Sequence, residues 1–245
     1  VSDETGPGPA SGTGSRVAQW VFPAPFCLLV RTGIRRERYA MFKELAGQVA
    51  FAYQQHPERR SWSAYGTVAG SAVQAYILIP LEELGDLDTM ASLDKVLGDI
   101  YGERAVELLE KFQDCVVDMS SLVLNRLDVG IMTPVAREKP PEYLYHVDLN
   151  IRPGDAAVFL EGMRQVGQIL PETPMVVFGT FAGPTRIHGF VMGDSIGDLG
   201  MISSLQSHII SGYGAQIGDR IISDMNRALV SSETAILRYI GHQER

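Results

Sequence analysis

The sequence predicts an α+β protein built from two copies of one β-α-β-β-α-β unit. Three observations carry that reading. The phrase Tyr65-Gly-Thr-Val-Ala-Gly70 returns as Phe178-Gly-Thr-Phe-Ala-Gly183. Later markers recur in the same order: Leu84–Leu87 with Ile196–Leu199, Tyr101-Gly102 with Tyr213-Gly214, and Arg126 with Arg238. The periodicity of apolar residues also changes in the same succession in each half, from short runs to helical spacing and back. The copies are 113 residues apart at the first marker and 112 at the later ones, so one residue has been lost in between. The boundaries that follow are 26–129 and 142–241, with a linker at 130–141.

Each element has a local reason. Phe26–Thr32 and Tyr143–Ile151 are apolar runs of strand type. Helices are expected near 35–55 and 154–169, where apolar residues such as Tyr39, Phe42, Leu45, Ala46 and Val49 recur at three and four spacing. His56-Pro57 and Leu170-Pro171 end them, because the ring of Pro disfavours helix at the residue before it. Two strands follow, split by Ala-Gly-Ser-Ala in one half and Ala-Gly-Pro-Thr in the other, a hairpin signal. Paired helices are expected near 89–98 and 102–117, then 199–210 and 214–229, each pair broken at Tyr-Gly. Met119–Asp128 and Ser231–Ile240 close the halves as strands. This order is the ferredoxin-like arrangement, whose sheet carries helices on one face. A second sheet from the same chain is expected to cover the other face.

Composition narrows the class. The chain has 245 residues, 45% hydrophobic and 20% charged, with a net charge of −8. That allows a sizeable core and a soluble globular protein. Lys and Arg are scattered, so no nucleic-acid partner is expected. No apolar run is long enough to span a bilayer, so no membrane partner is expected either. Two cysteines, Cys27 and Cys115, are too few for a disulfide scaffold and read as buried thiols. Residues 1–25 are rich in Gly, Pro, Ser and Thr and read as a disordered segment. The first residue is Val and not Met, which fits a mature form with a signal peptide removed as one origin, and the compartment, cytoplasmic or exported, is left open.

The element order, the element lengths and the repeat together resemble the dimeric α+β barrel superfamily of antibiotic-biosynthesis-monooxygenase-like domains, as two fused copies over about residues 26–241. The resemblance implies an intramolecular α+β barrel. It further implies a small-molecule-binding enzyme, with a monooxygenase of small organic substrates as the leading activity. Non-catalytic binding or structural barrels and haem-binding proteins are the alternatives within the same resemblance. It implies association as a monomer or a homodimer, and leaves the cofactor open.

Two motifs lose their usual meaning in context. Gly193-Asp-Ser-Ile-Gly197 fits the nucleophile elbow of hydrolases, but that fold needs a larger, mostly parallel sheet, only fifty residues follow Ser195, and the flanking strands read as a hairpin. Gly212–Gly218 sits between two helices, where a dinucleotide loop would follow a strand. His56 is expected in solvent at a helix end, and His242 in the tail. His208 is expected on a helix, as a surface or packed residue before a haem ligand.

The second repeat carries the candidate site. Alternation along Tyr143–Asn150 puts His146, Asp148 and Asn150 on one strand face. Arg186 and His188 share a face with Phe190 on the third strand of that half, which neighbours the first strand in this fold. The corresponding positions of the first repeat are read as Leu29, Arg31, Val73 and Ala75. As a catalytic set, His146 or His188 would be the base, Asp148 would support it, and Arg186 would hold an anionic oxygen. Asn150, Trp62 and Phe190 are the candidate substrate contacts. A metal on His146, Asp148 and His188 has suitable ligand types but no fixed geometry. The competing reading is an internal network in which Asp148 satisfies Arg186 or a His.

Overall fold

In the computed structural model, residues 24–57, 61–129, 139–170 and 174–241 are described, excepting the side chains of 201–203. The expected disordered segment up to residue 23, most of the expected linker, and His242 lie outside them. In the first half, β1 (Phe26–Ile34), α1 (Tyr39–Gln55), β2 (Ser63–Ala69), β3 (Gln74–Leu81), α2 (Leu93–Tyr101), α3 (Arg104–Cys115) and β4 (Val116–Arg126) follow one another. In the second, β5 (Tyr143–Ile151), α4 (Ala156–Ile169), β6 (Met175–Thr180), β7 (Arg186–Gly193), α5 (Leu205–Tyr213), α6 (Ala215–Ala228) and β8 (Leu229–Tyr239) do the same. Gly102 and Gly214, at φ of 59° and 79°, separate the paired helices where a side chain would be strained. α2 begins later than expected because Leu84–Thr89 forms a 3-10 turn, held by reciprocal capping between Glu83 and Asp86.

The eight strands form one closed barrel in the order β1-β3-β2-β8-β5-β7-β6-β4. Two sheets lying face to face were the expectation; instead the halves join edge to edge. β2 pairs with β8 through Tyr65–Tyr239 and Thr67–Leu237, and β4 pairs with β6 through Leu124–Thr180 and Arg126–Phe178. Joining supplies backbone partners to strand edges that two separate sheets would leave open. All pairings are antiparallel.

Inside the barrel, Leu29, Leu78, Leu124, Leu144, Phe178 and Phe190 are fully buried in one apolar core. Helices cover the outer face. Phe42, Leu45 and Leu108 pack with Ile34 and Ala75 in the first half, and Phe159, Val166 and Ile221 pack with Ile151 and Ile187 in the second. Neither cysteine is in a disulfide. Cys27 is fully buried, and burial pushes its thiol up to about 12, so it stays protonated and unreactive.

The strand register corrects one expectation. Asp148 lies opposite His188 and Asn150 opposite Arg186, while Arg31 lies opposite Tyr76 and Gly33 opposite Gln74. Tyr76 and Gln74, rather than Ala75 and Val73, therefore stand where His188 and Arg186 stand. The spacing between matching positions changes from 113 at Tyr65 and Phe178 to 112 at Tyr76 and His188, so the change falls in the hairpin between β6 and β7, ahead of Arg186. A one-residue slip moves every side chain to the other face of a strand.

Candidate functional site

Alternation puts Leu144, His146 and Asp148 of β5 on one face with His188 and Phe190 of β7, as expected from the sequence, and that face, which the sequence left open, is the barrel interior. Arg31 enters from β1, on the opposite wall. At this end of the lumen Asp148 is the hub. Its side chain is fully buried and accepts from Arg186 Nε (3.0 Å) and Nη2 (2.8 Å), and from Arg31 Nη1 (2.8 Å). Two guanidiniums on one buried carboxylate offset a desolvation cost that an unpaired charge could not bear. Arg31 also lies 3.7 Å from exposed Glu233 and 6.0 Å from the centre of the Tyr76 ring.

The two histidines sit deeper. His146 Nε2 is 3.2 Å from His188 Nδ1, so one of those nitrogens carries a proton and the other accepts it. His146 stacks on Phe190, with ring centres 4.6 Å apart, and meets Tyr76 edge-on. His188 Nδ1 is 3.9 Å from Asp148, beyond a hydrogen bond, and its buried Nε2 has no hydrogen-bond partner among the described residues. Burial pushes His188 down to about 4; the two arginines add to this and the Asp148 carboxylate opposes it. Burial also holds His146 well below the ordinary histidine range, with help from His188, Arg31 and Arg186. Both rings are neutral at pH 7, and neither is tuned to the poise near 7 that suits a general base.

The structure brings His146, Asp148, Arg186 and His188 together. Asn150 lies half-buried at the end of β5 in the same register as Arg186. Phe190 is in the packed core, and Trp62 is half-buried just ahead of β2. Beside this cluster is a recess of about 10 Å³ bordered by Arg31, Tyr76, His146 and Asp148, room for about one water. Among the described residues no group of three or more His, Cys, Asp or Glu side chains is placed to hold a metal ion.

The larger space lies on the other face of the same strands. A cavity of about 260 Å³ separates the β5-β7-β6 sheet from α4 and α6. Tyr145, Val147 and Leu149 form its β5 wall, and Ile187, Gly189 and Val191 its β7 floor. Phe159, Met163 and Val166 of α4 and Met225 of α6 close it from the helix side, with exposed Asn226 at the rim. No Asp, Glu, Lys, Arg or His among the described residues lines it. The sequence reading missed this site because apolar alternation facing a helix has the pattern of ordinary core. The available signal was Gly189 in mid-strand, which leaves a gap in a packed face, beside methionines at 163, 175 and 225.

His56, expected in solvent, is buried, with Nε2 3.0 Å from the Asp99 carboxylate. The extended backbone imposed ahead of Pro57 ends α1 there and leaves the ring against α2. His208 is exposed and its Nδ1 donates to the Ser204 carbonyl at 2.8 Å. Ser195 is a turn residue: Asp198 accepts from the amides of Asp194 and Ser195 at 2.9 and 2.8 Å. Asp86 receives the amides of Glu82 and Glu83 in the same way in the first half.

No protein-family model matches the chain, and no curated protein matches it. Solved structures do match in fold. A proposed monooxygenase from Fusobacterium nucleatum superposes with a TM-score of 0.57 at 7% identity, over 89% of this chain and 93% of that one. An anthrone oxidase-like protein gives 0.52 at 11% identity, over 89% and 94%. A proposed monooxygenase from Lactobacillus acidophilus gives 0.51 at 11% identity, over 88% and 94%. The fold is the dimeric α+β barrel, here closed by a single chain. No helix among the described residues is long and apolar enough to cross a membrane.

Proposed function

We propose that this protein binds a small, neutral, largely apolar organic molecule in the cavity between β5-β7-β6 and helices α4 and α6. The cavity itself carries the reading: about 260 Å³ of space walled by aliphatic, aromatic and methionine side chains, with Tyr145 and Asn226 as its polar edges. Apolar pockets with a few polar groups are the usual form of small-molecule sites. The monooxygenase descriptions of two similar structures make oxygenation of that molecule the reaction class to test first. A fluorescence titration with N-phenyl-1-naphthylamine, a neutral apolar probe, tests the reading. Saturable binding that Met163→Trp abolishes supports it, and binding indifferent to Met163→Trp overturns it.

The second reading keeps His146, Asp148, Arg186 and His188 as catalytic groups acting in the lumen, with Asn150, Trp62 and Phe190 as contacts. The buried Nε2 of His188, without a hydrogen-bond partner among the described residues, favours it. Against it stand the sheet between these groups and the cavity, and a recess with room for about one water. His146→Ala and His188→Ala separate the readings. Loss of turnover with unchanged stability supports catalysis; loss of stability with unchanged probe affinity supports an internal brace.

Haem fits these residues poorly. No imidazole among the described residues lines the cavity, and its volume falls below the roughly 300–1,000 Å³ of drug-sized sites. We also infer a tandem duplication of ferredoxin-like units at 26–129 and 142–241. The strand runs β4-β1-β3-β2 and β8-β5-β7-β6 support it, as does the shared register of β1 with β3 and β5 with β7. A monomer or a homodimer is the proposed assembly, which light scattering measures.

A further inference from the structure

Gly189 stands at the centre of the cavity floor. It lies opposite Val147 of β5 on one side and Val177 of β6 on the other. Ile187 and Val191, its neighbours on the same face of β7, complete a frame of four aliphatic side chains around bare backbone. Strands lie roughly 4.8 Å apart, so Val147 and Val177 bound a slot about two strand spacings wide. The first half has the same frame without the gap. Ile77 takes this place in β3, opposite Val30 of β1 and Ala64 of β2.

The space over Gly189 is real at the atomic level. A Cβ placed there would meet its nearest neighbours, Met175 Sδ and Val147 Cβ, at 4.0 Å, an ordinary van der Waals distance. At Gly162 and Gly218 of the same half the absence of a side chain is needed for packing. A Cβ on Gly162 would come within 2.8 Å of Met225 Sδ, and one on Gly218 within 2.9 Å of the Ile210 backbone. Packing therefore does not demand glycine at 189, and its φ is not in the left-handed region. Glycine in mid-strand also weakens the strand by adding chain entropy and burying nothing. What the residue provides is room.

Resting on the cavity reading above, we propose that Gly189 sets the size and shape of the ligand. The ligand is a neutral molecule bearing a planar ring, and the ring enters the aliphatic frame and lies against the bare strand at Gly189. A charged group would find no counter-charge among the groups lining the cavity, so burying one would be costly. A flat ring fits a slot with β-branched walls on both sides. Polar substituents on the ring point to the Tyr145 and Asn226 edges.

The experiment uses the whole chain and two probes, N-phenyl-1-naphthylamine followed by fluorescence and indole followed by its displacement of that probe. Gly189→Ala is expected to weaken the larger probe by about tenfold, since one added methyl in a filled site forces a repacking. Indole binding should stay within about twofold, because the smaller ring leaves space for that methyl. Gly189→Ile, which writes the first-half residue into the second half, should end binding of both probes and leave the melting temperature equal or higher. If both probes bind Gly189→Ala as they bind the parent, while Met163→Trp blocks them, Gly189 is not the determinant and the cavity reading stands. If Met163→Trp also has no effect, or the parent binds neither probe, both fall. Should Gly189→Ile fail to fold, the Ala variant decides alone.

Discussion

The two faces of β5 and β7 divide the properties that a functional site usually combines. The inward face has the charges, the hydrogen bonds and the histidines, and the recess beside them has room for about one water. The outward face has almost no polarity and has the space. Residue types that suit catalysis are not sufficient evidence of a site, because a closed barrel must also brace its lumen. Asp148 with Arg31 and Arg186 crosses that lumen from β5 and β7 to β1, and its geometry is that of a brace. Space for a ligand arises where a side chain is missing, and here that is at Gly189.

Breaking the inward face should have the largest effect. Asp148→Ala leaves two guanidiniums without their carboxylate, one of them mostly buried. The expected loss is about 3–5 kcal/mol of unfolding free energy, measured by urea denaturation, with the affinity of the folded fraction for N-phenyl-1-naphthylamine unchanged. A fall in affinity without a fall in stability would reverse the assignment of the two faces.

Acid gives the next largest effect. His188 is held near 4 in the folded chain, so between its unfolded value near 6.5 and that value the unfolded chain binds more protons. Its contribution is intact at pH 7 and is lost as the pH falls through that window, in total about 3 kcal/mol from this residue. His146 is displaced in the same direction and adds to the slope. Unfolding free energy measured from pH 7 to 4 should therefore fall more steeply in the parent than in His188→Gln.

The outward face should respond to smaller changes, and in binding alone. Tyr145→Phe removes one of the polar edges of the cavity. It should cost about 1 kcal/mol in affinity for 1-naphthol, a ring with a hydroxyl, and nothing for naphthalene, both read by displacement of the fluorescent probe. Ser195→Ala lies outside both faces and is the smallest change. It should shift stability by less than about 1 kcal/mol, as loss of a local capping contact does, and leave probe binding as it was.

Much of the fold was legible because its signals are local. Pro57, the Tyr-Gly breaks and the alternation along Tyr143–Asn150 each act within a few residues, and the repeat multiplied their weight. The meeting of His146, Asp148, Arg186 and His188 was legible for the same reason, since period-two alternation fixes a face. Arg31 as the third partner was not, because β1 and β5 are not neighbours and only closure of the barrel brings them together. The slip at Val73 and Ala75 arose where a hairpin absorbs a length change without leaving a trace in composition. The cavity was illegible because Val147, Ile187 and Val191 have the same pattern whether a helix touches them or stands off.

Arg31 and Asp148 hold the same place in the two strand registers and face one another across the barrel axis. Symmetry makes that pairing unusual. A barrel assembled from two identical copies would confront arginine with arginine there, or aspartate with aspartate. Only a chain that encodes the two positions separately can set opposite charges against each other at a single pair. On the duplication inferred above, the Arg31–Asp148 pair is a contact that a symmetric dimer of identical halves could not make.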